Sequence, residues 1–174
     1  VTDLKNYADD YDFTVEEIKA QEIEKITVSS TKIRNSINQG DIKTTEKYLG
    51  RYFNLTGKVV KGDGLGKKIN YPTANIFIEE TYKIIPKDGV YLVETIIKDK
   101  LFNGMMNIGH RPTIGTKNKS IEVHLFNFNE DIYGQVISIK MISKIRDEKK
   151  FSSIQALKEQ LVKDENYCLK LINK

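Results

Sequence analysis

The chain has 174 residues, 39% of them hydrophobic and 30% charged, with 28 Lys and Arg against 24 Asp and Glu for a formal net charge of +4. This suits one ordinary domain with a real core and argues against wholesale disorder. A single cysteine excludes an intramolecular disulfide and disfavours a cysteine-based zinc site, no apolar run is long enough for a bilayer, and the dispersed basic excess falls short of what nucleic-acid binding uses.

The expectation is a cytoplasmic protein with no membrane or nucleic-acid partner, whose charge suits a polyanionic small ligand such as a nucleotide. Val1 opens the chain in place of Met, which reads as a piece of something longer. Residues 1–25 are acidic, poor in glycine and weakly periodic, and 23–28 suits a short strand. Ser29-Ser30-Thr31 offers N-cap hydroxyls. From 32 to 49 the apolar residues Ile33, Ile37, Ile42, Tyr48 and Leu49 recur at loosely helical spacing, broken at Gly40-Asp41. This predicts two short helices, with Asp41 capping the second and Gly50 closing it. Six segments rich in Val, Ile, Tyr and Phe follow, at 54–61, 73–78, 90–98, 102–108, 120–128 and 135–144. Turn signals separate them at 62–66, 87–89, 98–100, 109–115 and 129–134. No long helix intervenes, so the fold class is mainly β, an antiparallel barrel or sandwich in place of a parallel α/β sheet. Residues 152–172 read as a helix capped by Ser152 or Ser153, with Ile154, Leu157, Leu161, Leu169 and Ile172 as the stripe that packs on the barrel.

Three segments carry candidate chemistry. The run Gly62-Asp63-Gly64-Leu65-Gly66-Lys67-Lys68 leaves a strand as a glycine-rich loop. It has neither Walker A nor Rossmann spacing, but backbone N–H groups freed by Gly62, Gly64 and Gly66 can converge on an anion, with Lys67 and Lys68 adding charge. The same spacing suits a mobile hairpin turn. In Tyr71-Pro72-Thr73-Ala74-Asn75, Thr73 and Asn75 share a strand face and offer neutral oxygens to a hard cation such as Mg²⁺; they could equally cap a turn after Pro72. In 121–128, alternation sets Ile121, Val123 and Leu125 on one face and Glu122, His124, Phe126 and Phe128 on the other. A carboxylate among aromatics suits a general base, and an exposed salt bridge is the alternative. Residues 107–113 read as a turn with an arginine, and Arg146 and Phe151 could line a ligand mouth.

Together these pieces resemble the riboflavin kinase module of bacterial bifunctional riboflavin kinase/FMN adenylyltransferases. The likeness runs from about Arg51 to the C-terminus, through Gly57-Lys58-Val59-Val60-Lys61-Gly62-Asp63-Gly64, Pro72-Thr73-Ala74-Asn75, Gly89-Val90-Tyr91, Asn107-Ile108-Gly109, Arg111-Pro112-Thr113, Glu122-Val123-His124-Leu125, Asp131-Ile132-Tyr133-Gly134 and Ile145-Arg146-Asp147-Glu148-Lys149-Lys150-Phe151. The resemblance implies a six-stranded antiparallel Greek-key β-barrel with a C-terminal α-helix. It implies phosphorylation of riboflavin by ATP with Mg²⁺, giving FMN. By residue, it makes Thr73 and Asn75 the Mg²⁺ and phosphate ligands and Glu122 the catalytic base. It also makes Gly62, Gly64, Gly66, Lys67 and Lys68 the flap over ATP, and Asn107, Arg146 and Phe151 flavin contacts.

Val28-Ser29-Ser30-Thr31-Lys32-Ile33-Arg34 resembles a phosphate-binding segment of the adenylyltransferase half. That half's His-x-Gly-His motif is absent from this sequence. The division expected is 1–50, a short helical remnant of the nucleotidyltransferase domain to which the module is natively fused, and 51–174, the kinase, with FAD formation lost. Two other functions compete: a non-catalytic flavin-binding split barrel, which needs no Mg²⁺–ATP site, and an oligonucleotide-binding barrel, against which the dispersed lysines argue.

Overall fold

The structure, a computed structural model, describes residues 2–8, 11–16, 22–23, 26–62, 64–110 and 119–173. Helix α1 (Thr2–Ala8) precedes two short strands, β1 (Glu22–Ile23) and β2 (Ile26–Thr27), which pair antiparallel with Ile23 opposite Ile26. The strand expected at 23–28 is thus divided between the two, with 24 and 25 outside the described residues.

The two expected helices are α2 (Ser30–Gln39) and α3 (Ile42–Leu49). Ser29 is extended and its hydroxyl accepts from the Lys32 N–H; the Asp41 carboxylate accepts from the Thr44 N–H at 3.1 Å. Such caps satisfy N–H groups that have no partner inside the helix. Gly40 ends α2 at φ +73°, where L side chains are strained, and a Cβ there would also lie 2.7 Å from the Tyr91 hydroxyl.

Strand β3 (Asn54–Val60), the single helical turn α4 (Leu65–Lys68) and strands β4 (Ala74–Phe77), β5 (Gly89–Ile97), β6 (Lys100–His110), β7 (Lys119–Leu125) and β8 (Val136–Arg146) follow. The strands close into one antiparallel barrel in the ring order β3-β4-β7-β6-β5-β8. Strands β5, β6 and β7 are successive neighbours and β8 returns beside β5, which is the Greek-key order. Closure leaves no unpaired sheet edge.

Three differences from the sequence reading have physical causes. Strand β6 runs on to His110, so Asn107–His110 is ladder and not turn; 111–115 lie outside the described residues. Strand β7 stops at Leu125, because Asn127 turns to φ +54° and Phe126 N–H bonds to Asn103 O. The alternation therefore breaks, and Phe128 packs against the barrel interior, edge to face with Phe102 at 4.9 Å. The loop after β3 winds α4, so Lys67 and Lys68 are helical.

Alternate residues of the strands, among them Leu55, Val59, Val93, Met106, Val123 and Ile139, fill the barrel. Full burial of such a side chain stabilises the fold by about 1.5–3 kcal/mol. Ile42 of α3 joins this cluster, so the helical pair closes the barrel from outside the strands. A second cluster (Tyr71, Val90, Leu92, Met105 and Cys168) lies on the outer wall under α5 (Ile154–Ile172), packed by Leu157 and Leu161. Ser153 caps α5 by accepting from the Ala156 N–H. On α5 Asp164 and Cys168 are buried and Leu157, Leu161 and Leu171 are half-buried against the wall; of the stripe expected, Ile154, Leu169 and Ile172 are exposed.

Candidate functional site

Register determines which polar side chains meet. Val60 pairs with Asn75, Asn75 with Glu122, Glu122 with Asn107, Asn107 with Val90 and Val90 with Arg146. One ladder row thus crosses all six strands and carries Asn75, Glu122, Asn107 and Arg146, four residues from distant parts of the sequence. Their neighbours Ile121, Val123 and Ile108 point inward, so by the two-residue period this row projects from the outer wall.

Thr73 sits just before β4, and its hydroxyl lies 3.3 Å from Glu122 Oε2. The Asn75 amide is buried beside Gly62, where an added Cβ would fall 2.1 Å from Nδ2. At Gly66 a Cβ would fall 2.2 Å from the Tyr71 carbonyl oxygen and 3.3 Å from the Thr73 hydroxyl. Gly64 has open space but φ +71°. Two of these glycines are therefore required by contact and one by conformation, and they hold α4 against the Thr73–Asn75 segment.

Two cavities flank this junction. One, about 270 Å³, is lined by Val59, Lys67, Thr73, Phe128, Asp131 and Tyr133 among others. The other, about 250 Å³, is lined by Gly66, Asn107, Glu122, His124, Arg146 and Phe151 among others. Thr73 lines both. The structure thus brings Thr73, Asn75, Glu122, Asn107, Arg146, Phe151, Gly66 and Lys67 together. Lys68 is exposed and lines neither cavity, and Asp63 lies outside the described residues.

The walls of the second cavity are held by ions that periodicity alone does not reveal. Arg146 donates through Nε and Nη2 to both oxygens of buried Asp164, at 2.8–3.1 Å, and through Nη1 to Asp147 O. Gln160 donates to the same carboxylate. Such a fork-to-fork pair fixes a guanidinium in plane and direction, here with the Phe151 ring 5.8 Å away. The Tyr71 hydroxyl donates to Glu165 at 2.8 Å, and burial, aided by Glu165, pushes its pKa up to about 12, so it remains a donor at neutral pH. The Glu148 carboxylate lies over Gly109, where a Cβ would meet it at 2.1 Å. The signal available for Asp164 was a lone carboxylate in the apolar spacing of α5.

A family profile described as Flavokinase, riboflavin kinase, matches residues 49–172. The bifunctional riboflavin kinase/FMN adenylyltransferase of Bacillus subtilis is 38% identical over 156 residues, 85% of this chain and 49% of its own length. That of Haemophilus influenzae is 39% identical over 155 residues, 88% of this chain and 50% of its own. A crystal structure described as a macrolide-efflux protein from Streptococcus pneumoniae superposes with a TM-score of 0.82 at 38% identity, over 95% of this chain and 53% of that one. The chain spans about half the length of the curated relatives it matches.

Proposed function

The chain belongs to the riboflavin kinase family, and from that premise we propose that it moves the γ-phosphoryl group of ATP onto the 5′-hydroxyl of riboflavin, giving FMN and ADP. One observation carries the reading: Thr73, which lines both cavities, lies 3.3 Å from Glu122. A donor in one cavity and an acceptor in the other would meet beside a carboxylate.

ATP takes the cavity lined by Lys67 and Asp131, with its phosphates toward Gly62, Gly64, Gly66 and Lys67. Lys68 acts only as distant positive charge. Riboflavin takes the cavity of Asn107, Arg146 and Phe151. Glu122 accepts the hydroxyl proton as the oxygen closes on the γ-phosphorus; that O–P bond forms, the bond to the β,γ-bridging oxygen breaks, and ADP leaves with the electron pair. Arg146 orients, and the α5 wall excludes water.

Thr73 and Asn75 fit Mg²⁺. Both offer neutral oxygens, and no cluster of three or more His, Cys, Asp or Glu suited to a metal occurs among the described residues. The phosphates of ATP would complete the shell, which Mg²⁺ favours. When bound, the ion neutralises phosphate charge.

The relatives' names support native fusion to an FMN adenylyltransferase domain, and no helix among the described residues is long and apolar enough to cross a membrane; a cytoplasmic setting fits both. The test is to incubate the 174-residue chain with riboflavin and Mg²⁺–ATP and separate the flavins. FMN without FAD is expected. Riboflavin bound but unchanged would return the chain to a flavin-carrying barrel, and FAD would refute the expected loss of adenylyl transfer.

A further inference from the structure

We propose that His124 is a positioning residue, which clamps the Pro72 carbonyl and so sets the Thr73 side chain beside Glu122. His124 follows Glu122 by two residues on β7, so both project from one face. Its Nδ1 lies 2.8 Å from the Pro72 carbonyl oxygen. A carbonyl only accepts, so Nδ1 carries the proton, and in the neutral ring Nε2 is the acceptor.

The β4–β7 ladder begins at Ala74 opposite Val123. Thr73 lies one residue before it, outside the regular pairing. The imidazole bond to Pro72 therefore ties the segment entering β4 to the strand that carries Glu122. The ring is held edge-on by Tyr71 at 5.0 Å and Phe126 at 5.9 Å, and Tyr71 is itself anchored to α5 through Glu165. The Pro72 carbonyl belongs to the planar peptide unit that ends at Thr73 Cα, so holding that oxygen fixes the backbone at which Thr73 starts. The catalytic consequence rests on the kinase reading above; the clamp itself does not.

The first measurement is the tautomer of the neutral ring, read from long-range ¹H–¹⁵N NMR of the histidine-labelled chain. There are two histidines, and His110→Gln identifies the other signal. Protonated Nδ1 with bare Nε2 is expected at His124. The opposite tautomer would overturn the clamp whether or not the chain phosphorylates riboflavin. The second measurement compares His124→Asn, whose amide N–H stands near Nδ1, with His124→Gln, whose amide stands near Nε2. Misplacing a reacting group by about an ångström costs on the order of 10²-fold in rate. The Gln variant should lose about that in kcat, and Asn should restore most of it. Equal rates in the two variants would contradict the role. Should the unaltered chain make no FMN, the kinase reading falls, and the tautomer still decides the clamp.

Discussion

Glu122→Gln keeps the length and shape of the side chain but removes its capacity to take a proton. Loss of a general base typically costs on the order of 10²–10⁴-fold in rate. The variant should bind riboflavin as before and turn over slower by that order, measured by fluorescence quenching and steady-state kinetics; turnover near the parent rate would make Glu122 structural. Gly62→Ala tests the packing of Asn75. The new Cβ would fall 2.1 Å from Asn75 Nδ2, so the amide must swing away, and KM for Mg²⁺–ATP should rise about tenfold with riboflavin affinity unchanged. An unchanged KM would remove Asn75 from the nucleotide site. Asn75 and Glu122 were legible because strand alternation sorts faces without further information. Phe128 was misassigned because the chain turns at Asn127, at φ +54°, and β7 ends at Leu125, three positions early. Asp164 was hidden because pairing with Arg146 lets a carboxylate occupy a core position that hydropathy reserves for leucine.

At the scale of elements, helix caps and strand centres follow from local chemistry, whereas α4 does not: glycine and lysine in 62–68 signal a loop, and only contact with Tyr71 and Thr73 selects the helical turn. The stripe of α5 was misphased for a related reason, since Ile154 precedes the contact with the wall and Asp164 replaces an apolar residue within it. The β5–β6 connection is a two-residue turn with Lys98 at φ +49° and Asp99 at φ +62°, a geometry that favours Asn-Gly. Left-handed conformation costs an ordinary residue roughly 1–2 kcal/mol, and the exposed Lys98–Glu130 pair returns little. Lys98→Asn with Asp99→Gly should therefore stabilise the barrel by about 1 kcal/mol in urea unfolding.

Asp88 joins three elements, accepting from Lys119 at 3.0 Å and lying 2.7 Å from His110 Nδ1, at the starts and ends of β7, β6 and β5. Partial burial works against its ionisation, but Lys119 and His110 outweigh this and hold its carboxyl below the ordinary carboxylate range. A depressed folded-state pKa contributes stability that is present above the unfolded value and lost as pH falls through the folded one. Asp88→Asn should then destabilise by about 1 kcal/mol at most at pH 7, with the difference closing as pH falls through the lowered folded-state pKa. A gap that persists in acid would assign the effect to packing.

The whole molecule is a ring whose closure cannot be read from any one strand. Six strands and a final helix were legible, but not that Asn75, Glu122, Asn107 and Arg146 stand on a single ladder row. That row depends on pairing between residues as far apart as Val90 and Arg146, which local pattern does not encode. It puts the second cavity on the outer wall, beneath α5, with Thr73 at its contact with the first, which the interior residues Val59, Val123 and Leu125 help to line. The central claim is that a phosphoryl group crosses at this contact. It is tested most directly by giving the chain riboflavin and Mg²⁺–ATP labelled in the γ-phosphoryl group, and locating the label. One labelled phosphoryl per FMN formed is expected, none in ADP, and almost none transferred by Glu122→Gln. Label released only as inorganic phosphate, or unlabelled FMN, would contradict it.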